Sequence, residues 1–265
     1  MLGKLMKYEW NATWKLLLSA NLVTVVMTIL AWFMVNVMES SSDFGMVDFA
    51  SIMVIFTYVV SMFAVTVGTS IYLIYRFYTS TYGDQGYLLH TLPVDTHHII
   101  IAKVLVSAMW LLINIGVIYL SILLLLAGQE DMMRNMMEGF VNSLEYLGAD
   151  KVTFLAGIMT LIACLFSLFA RVLKVTACIS LGQLSPNHKL LMSFVWYIGF
   201  NMVQQVFEVM YVMILFAFHS SKNSSADYYS IFGNHWEVML ISGIIYCVVF
   251  YLLTWYVMSR KLNLD

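Results

Sequence analysis

Charged residues are scarce in this chain of 265 residues: they make up 11% of it, against about 25% in a typical soluble domain. Apolar residues make up 62%, and the mean hydropathy is +0.85. So few charges cannot cover an ordinary water-facing surface. The composition therefore excludes a disordered segment, a nucleic-acid-binding protein and a cytosolic enzyme, and it indicates a protein embedded in lipid.

Several chemical signatures are also missing. No GxxxxGK[ST] run occurs, so the chain has no phosphate cradle for ATP. No HExxH motif, Ser/His pair or paired carboxylate stands out within the apolar runs, so we expect no enzyme activity on this chain. Cys164, Cys178 and Cys247 are far apart and are predicted to be small apolar fillers. His97 and His98 are adjacent, which on a helix sends their side chains apart, so a solvated helix start is favoured over a metal site.

Six stretches reach the roughly 20 apolar residues that a membrane-spanning helix needs. The sequence therefore predicts an all-α membrane protein with six spans, at about 16–38, 49–75, 99–127, 152–183, 190–218 and 236–258. Residues 1–15 are predicted to form a separate amphipathic helix in the headgroup region, and 16–265 the transmembrane domain. The alternative for 1–15 is a positively charged flank that only sets topology.

Lysine and arginine are unevenly distributed between the two sides of the predicted spans. The terminal side carries Lys4, Lys7, Lys15, Arg76, Lys103, Lys189, Arg260 and Lys261, whereas the other side carries only Arg134, Lys151 and Lys222. By the positive-inside rule both termini are expected in the cytoplasm. On the other side, methionines and other apolar residues of 128–151 recur every four residues, which predicts an amphipathic helix at the outer surface.

The loop 76–98 between the second and third predicted spans is the most informative segment. Gly83 to Gly86 form a turn signal, and Pro93 is suited to the start of the next helix, which Asp95 or Thr96 would cap. The apolar residues between them are expected either to contact a protein partner or to dip into the membrane interface.

Ionisable and amide side chains interrupt the last spans. These are Arg171 and Lys174 in the fourth span, and Asn201, Gln204, Gln205 and Glu208 in the fifth. The two spans are joined by a short turn, so they are predicted to be antiparallel neighbours with Arg171 and Glu208 about 10 Å apart along the axis. These residues either line a substrate path or form a buried polar seam that fixes packing. For the basic pair, snorkelling to the cytoplasmic headgroups is a third possibility.

Together, the amino-terminal amphipathic segment, the six spans and the loop sequence GDQGYLLHTLPVD resemble the permease subunit of Gram-positive type-2 ABC transporters. Lys103 and the run Ser180-Leu181-Gly182-Gln183-Leu184 fit the same pattern. In that family the loop docks on a separate ATPase. The resemblance assigns this coupling role to Tyr82, Asp84, Gly86, Tyr87, Leu88, Leu89, Leu92 and Pro93.

The resemblance implies a multi-pass protein of the bacterial plasma membrane that exports an amphiphilic substrate such as a peptide antibiotic, a drug or a lipid. It implies three kinds of partner: an ABC ATPase that holds the ATP and Mg²⁺, a second or homologous permease, and membrane lipids. No cofactor, metal or nucleic acid is expected on this chain. The alternative is a membrane immunity or sensor protein that transports nothing.

Overall fold

The computed structural model describes residues 2–40, 46–83, 86, 95–127, 130–149, 151–185, 188–220 and 235–260. Within these ranges the chain forms helices and short turns, with no strand. The helices are α1 (Leu2–Ser40), α2 (Met46–Tyr82), α3 (Thr96–Leu126), α4 (Glu130–Ala149), α5 (Lys151–Gly182), α6 (Lys189–Ser220) and α7 (His235–Arg260).

Six of these helices are long and apolar enough to cross a membrane, and each covers one predicted span. They are α1, α2, α3, α5, α6 and α7. In lipid the helix satisfies its own backbone N–H and C=O groups, which favours it over any open structure, and none of the six contains proline. The prediction of an all-helical, multi-pass membrane protein is therefore confirmed.

The shorter helix α4 occupies the loop in which the sequence predicted an amphipathic helix. It has polar residues on one face and the exposed apolar residues Met137, Phe140 and Val141 on another. Its predicted place on the outer surface stays a prediction.

The predicted boundary near residue 15 does not coincide with a break in the chain. Helix α1 runs without interruption from Leu2 to Ser40. The face predicted to lie among lipid headgroups is divided, because Trp10 stacks on Trp110 of α3 with ring centroids 4.6 Å apart, whereas Trp14 is exposed. Whether the first turns lie in the headgroup region stays a prediction.

The chain divides into two compact units. Unit 1 comprises Met1–Phe77 and Ile101–Tyr146, and unit 2 comprises Tyr78–Ile100 and Leu147–Asp265. In unit 1, an apolar cluster joins α1, α2 and α3 through Leu17, Leu73 and Trp110. Away from this cluster, each of the three helices exposes many large apolar side chains, as suits contact with lipid tails.

In unit 2, small side chains allow α5 and α7 to approach closely. Buried alanines recur every seven residues along α5, at Ala163, Ala170 and Ala177. On α7, a Cβ added to Gly243 would lie 3.2 Å from the Cβ of Phe166, so a larger residue there would have to move α5 or α7 by a few tenths of an ångström. Small residues at a helix crossing raise the van der Waals contact between backbones, which stabilises helix pairs in lipid.

The turn between α5 and α6 is tight. A Cβ at Gly182 would come within 2.7 Å of the carbonyl oxygen of Lys189 and 2.8 Å of the amide nitrogen of Ser193. His188, just before α6, has φ = 59°, in the left-handed region. The turn reverses the chain so that α6 packs antiparallel against α5, as predicted, and it brings the polar residues of the two helices to the same level.

Candidate functional site

Lys174 is the centre of the polar residues in unit 2. Its ammonium group donates hydrogen bonds to Oδ1 of Asn201 and to Oε1 of Gln204, both at 2.7 Å, and it lies 5.4 Å from the centroid of the Tyr197 ring. Lys174 is 7% exposed, although it lies on an apolar helix. We refer to Lys174, Tyr197, Asn201 and Gln204 as the Lys174 site.

The remaining predicted seam residues lie around this site without joining it. Arg171, Gln205 and Glu208 are exposed, and neither Arg171 nor Glu208 forms an ion pair within the residues that the structure describes. The antiparallel arrangement of the two helices is as predicted. It is Lys174, however, that reaches across to α6 and bonds with neutral amide groups. The path-lining role of these six residues stays a prediction.

The predicted coupling loop is described only at its edges. The Tyr82 hydroxyl donates a hydrogen bond to Oγ of Ser180 at 2.7 Å, and Ser180 donates to the carbonyl oxygen of Thr176 at 2.8 Å. The loop is thereby tied to α5 at a residue of the Ser180–Leu184 run. Asp84, Tyr87, Leu88, Leu89, Leu92 and Pro93 lie outside the described residues.

Gly86 allows a tight turn after α2. Its N–H donates to the carbonyl oxygen of Gly83 at 2.7 Å, and a Cβ added at Gly86 would collide with the carbonyl group of Thr81. The turn signal that the sequence showed at this place is therefore confirmed, and α3 begins at Thr96, directly after the predicted cap Asp95.

His97 and His98 diverge, as expected for adjacent residues on a helix. Nδ1 of His97 lies 2.5 Å from the Tyr251 hydroxyl, and its ring stacks on Trp255 with centroids 5.3 Å apart. His98 instead lies 3.7 Å from a carboxylate oxygen of Asp95. No group of three or more metal-ligating side chains occurs among the residues described.

A second buried lysine, Lys103, lies in unit 1, and its partner Glu9 was not predicted from the sequence. Nζ of Lys103 donates to Oε1 of Glu9 at 2.5 Å, and Nε of Arg76 donates to Oε2 of the same carboxylate at 3.4 Å. The three residues, which we call the Glu9 cluster, come from α1, α3 and α2. Lys103 and Arg76 were noted separately, as a match to the family pattern and as a topology signal, but Glu9 was not singled out.

A stripe of buried polar residues continues from the Glu9 cluster along α1. Trp110 Nε1 donates to Oγ1 of Thr13 at 2.9 Å, and further along Asn114 donates to Oδ1 of Asn21 at 3.3 Å. Still further, the Ser121 hydroxyl contacts Thr28 at 2.6 Å and Tyr58 at 2.7 Å. Hydrogen bonds of this kind specify which helices pair, and in which register, when every neighbour is apolar.

A simple signal in the sequence marks that stripe. The buried positions described on α1 are spaced by three or four residues, and five of the eight are polar. The polar ones are Glu9, Thr13, Asn21, Thr24 and Thr28, and the apolar ones are Leu17, Ala31 and Val35. In a helix of this hydropathy, polar residues at helical spacing identify the protein-facing side, since the lipid-facing side cannot tolerate them.

The architecture is that of a multi-pass helical membrane protein with a charged cluster in each unit. Comparisons with protein-family models, with curated proteins and with solved structures return no match to this chain. The particular function must therefore be argued from the residues themselves.

Proposed function

We propose that the chain is the permease subunit of an ATP-binding-cassette transporter of the bacterial plasma membrane, with both termini in the cytoplasm. The observation that carries the proposal is the segment GDQGYLLHTLPVD between the second and third apolar helices, on the lysine-rich side of the membrane. The chain has no phosphate-binding loop of its own, so the ATP and Mg²⁺ are held by a separate ATPase.

In this proposal the loop transmits movement of the ATPase to the spans. Tyr82 at the end of α2 is hydrogen-bonded to Ser180 near the end of α5, so a displacement of the loop would act directly on α5. The helix would move as a rigid body, because helices are packed elements and do not deform continuously. The cargo is an amphiphile, which is exported through a path enclosed by two permease copies.

Capture of the ATPase is the decisive experiment. The tagged full-length chain is purified from membranes of its native host, and co-purifying proteins are identified by mass spectrometry and assayed for ATP hydrolysis. We expect a P-loop ATPase with the wild type and with Leu88→Met, and at least a tenfold lower yield with Leu88→Asp. Recovery of no P-loop ATPase, or an equal yield from all three proteins, contradicts the proposal and favours the non-transporting immunity or sensor protein.

Two further measurements test orientation and path. In a variant without native cysteines, a cysteine at position 84 should react with a membrane-impermeant maleimide only from the cytoplasmic side, and one at position 223 only from outside.

Glu208→Gln should insert normally and impair export, because Glu208 is the acid that α6 carries within the membrane. Unchanged export by this variant would reject the path-lining role of Glu208.

A further inference from the structure

Among the described residues of unit 2, no carboxylate forms an ion pair with the ammonium group of Lys174, although the charge of Glu208 acts on it from a greater distance. An ammonium group has three N–H donors, and two of those of Lys174 are taken up by amide oxygens, which carry no net charge. No carboxylate of the described residues lies within ion-pairing distance of it. A buried charge that is hydrogen-bonded but unpaired still favours an anion nearby.

Arg171 adds a second cation to the same surface. It precedes Lys174 by three residues on α5, so the Cβ atoms of the two residues lie about 5–6 Å apart on neighbouring turns. The Arg171 side chain is exposed. Arg171 is therefore the accessible cation and Lys174 the buried one, and the charge of Arg171 acts on Lys174.

The exposed surface of α6 beside the two cations is mostly apolar, although it also carries Gln205 and Glu208. Helix α6 exposes Val203, Phe207 and Met210 on its surface, and Tyr197 is also exposed. The complementary molecule therefore has two parts: an anionic group for Arg171 and Lys174, and hydrocarbon for the apolar surface of α6. A soluble anion matches only the first part.

The depth of the cations agrees with a lipid headgroup. Helix α5 has 32 residues and is about 48 Å long, whereas the hydrocarbon core is about 30 Å thick. With α5 centred on the core, about 9 Å of helix extends beyond the core at each end. Arg171 and Lys174 precede the end of α5 at Gly182 by 11 and 8 residues, so they lie about 8 Å and 3 Å inside the edge of the core, where long basic side chains extend to the headgroups.

We propose that Arg171 and the Lys174 site bind the phosphate group of an anionic phospholipid, whose acyl chains lie against α6. The arginine fork matches two phosphate oxygens, and the lysine provides a second positive charge. This site does not depend on the transport function and requires no ATPase. Its test is therefore separate from the test of that function.

The experiment uses the purified full-length chain in a neutral, non-ionic detergent. Thermal unfolding is followed while phosphatidylglycerol, phosphatidylcholine with the same acyl chains, or inorganic phosphate is added. With the wild type we expect phosphatidylglycerol alone to raise the unfolding midpoint in a saturable manner, because a ligand that binds only the folded state stabilises it.

Variants assign the effect to the two cations. Arg171→Gln and the double variant Arg171→Gln/Lys174→Gln should need at least tenfold more phosphatidylglycerol for the same shift, whereas Lys174→Arg should retain the effect. Lys189→Gln is the matched control, since it removes one positive charge of unit 2 outside the site. If the double variant does not fold, Arg171→Gln decides the question, because the exposed Arg171 makes no ion pair or hydrogen bond among the described residues.

Four outcomes overturn the proposal. An equal shift with phosphatidylcholine would show that only the acyl chains bind, and an equal shift with inorganic phosphate would show a site for a free anion. If Lys189→Gln weakened the stabilisation by phosphatidylglycerol as much as Arg171→Gln does, the lipid would be attracted by the overall positive charge and not by this site. An unchanged lipid effect combined with a smaller oligomer in the double variant would assign the cations to an interface with a second copy.

Discussion

Among the described residues each unit buries one lysine, and the two ammonium groups have different partners, a carboxylate in unit 1 and neutral amides in unit 2. Lys103 of unit 1 is 6% exposed and Lys174 of unit 2 is 7% exposed, both on helices that are otherwise apolar. Lys103 contacts the carboxylate of Glu9, which also accepts a hydrogen bond from Arg76. Lys174 contacts two amides.

Burial alone therefore does not define the role of a lysine in a membrane protein. A carboxylate neutralises its partner in a low-dielectric environment, so the pair can form part of the packed interior. An amide oxygen solvates the ammonium group without neutralising it. In unit 1 the lysine therefore helps to join three helices. In unit 2 the lysine keeps a positive charge that an anionic ligand can neutralise.

The largest expected effect comes from removing the carboxylate of the Glu9 cluster. Glu9→Gln removes the carboxylate that pairs with the ammonium group of Lys103, whose side chain is 5% exposed. Breaking a buried pair from one side typically costs about 3–5 kcal/mol. We expect the free energy of unfolding in mixed micelles to fall by about 3 kcal/mol.

A second substitution tests the cause of that loss. If the uncompensated ammonium group is responsible, adding Lys103→Met to Glu9→Gln should restore at least half of the lost stability. If the loss of stability in the double variant equals the sum of the losses in the two single variants, Glu9 and Lys103 act independently. The contrast between Lys103 and Lys174 would then be wrong.

The next effect concerns the turn that brings α5 and α6 together. Gly182→Ala introduces a Cβ into a space closed by the backbone of Lys189 and by Ser193. Overpacking of this kind costs about 1–3 kcal/mol, and we expect about 2 kcal/mol from unfolding in mixed micelles. Gly199→Ala on α6 is the control, because a Cβ there meets no atom within 4 Å. Equal stability of the two variants would show that the turn tolerates the added methyl group.

Removing the charge from the Lys174 site should have a smaller effect than Glu9→Gln. Lys174→Met breaks two hydrogen bonds, but the groups left behind are neutral amides that can bond with each other or with water, so no buried charge is stranded. We expect a loss of about 1 kcal/mol, measured in the absence of anionic lipid. A loss equal to that of Glu9→Gln would remove the distinction between the two lysines.

The spans could be predicted from the sequence because hydropathy and length decide them. Twenty apolar residues have one stable state in lipid, and six such runs gave six helices, although α1 begins 14 residues before its predicted span and α2 ends seven residues after its own. The turn at Gly83 to Gly86 and the start of α3 at Thr96 were also predictable, because glycine and capping residues act locally.

The partners of the charged residues were not predictable in the same way. Glu9 and Lys103 lie on different helices, and hydropathy places a residue along its helix without giving the rotation of that helix about its axis. For the same reason, the short connection predicted the antiparallel arrangement of α5 and α6, but the axial distance from Arg171 to Glu208 did not show that Lys174 is the residue that contacts Asn201 and Gln204. The polar stripe on α1 held the missing information for unit 1.

The smallest predicted effect tests whether neutral hydrogen bonds in unit 1 matter less than its charges. Trp110→Phe keeps an aromatic ring to stack on Trp10 and removes the N–H that donates to the Thr13 hydroxyl. That hydroxyl still donates to the carbonyl oxygen of Glu9 at 3.0 Å, so it is not left without a partner.

The smaller ring also leaves a cavity, and a double-mutant cycle with Thr13→Val separates the hydrogen bond from that packing loss. We expect a coupling energy of about 0.6 kcal/mol, the average for hydrogen bonds between membrane helices. A coupling energy of about 3 kcal/mol would place the neutral hydrogen bonds of unit 1 on a level with the Glu9 cluster, and the stability of that unit could then no longer be attributed mainly to the neutralised lysine.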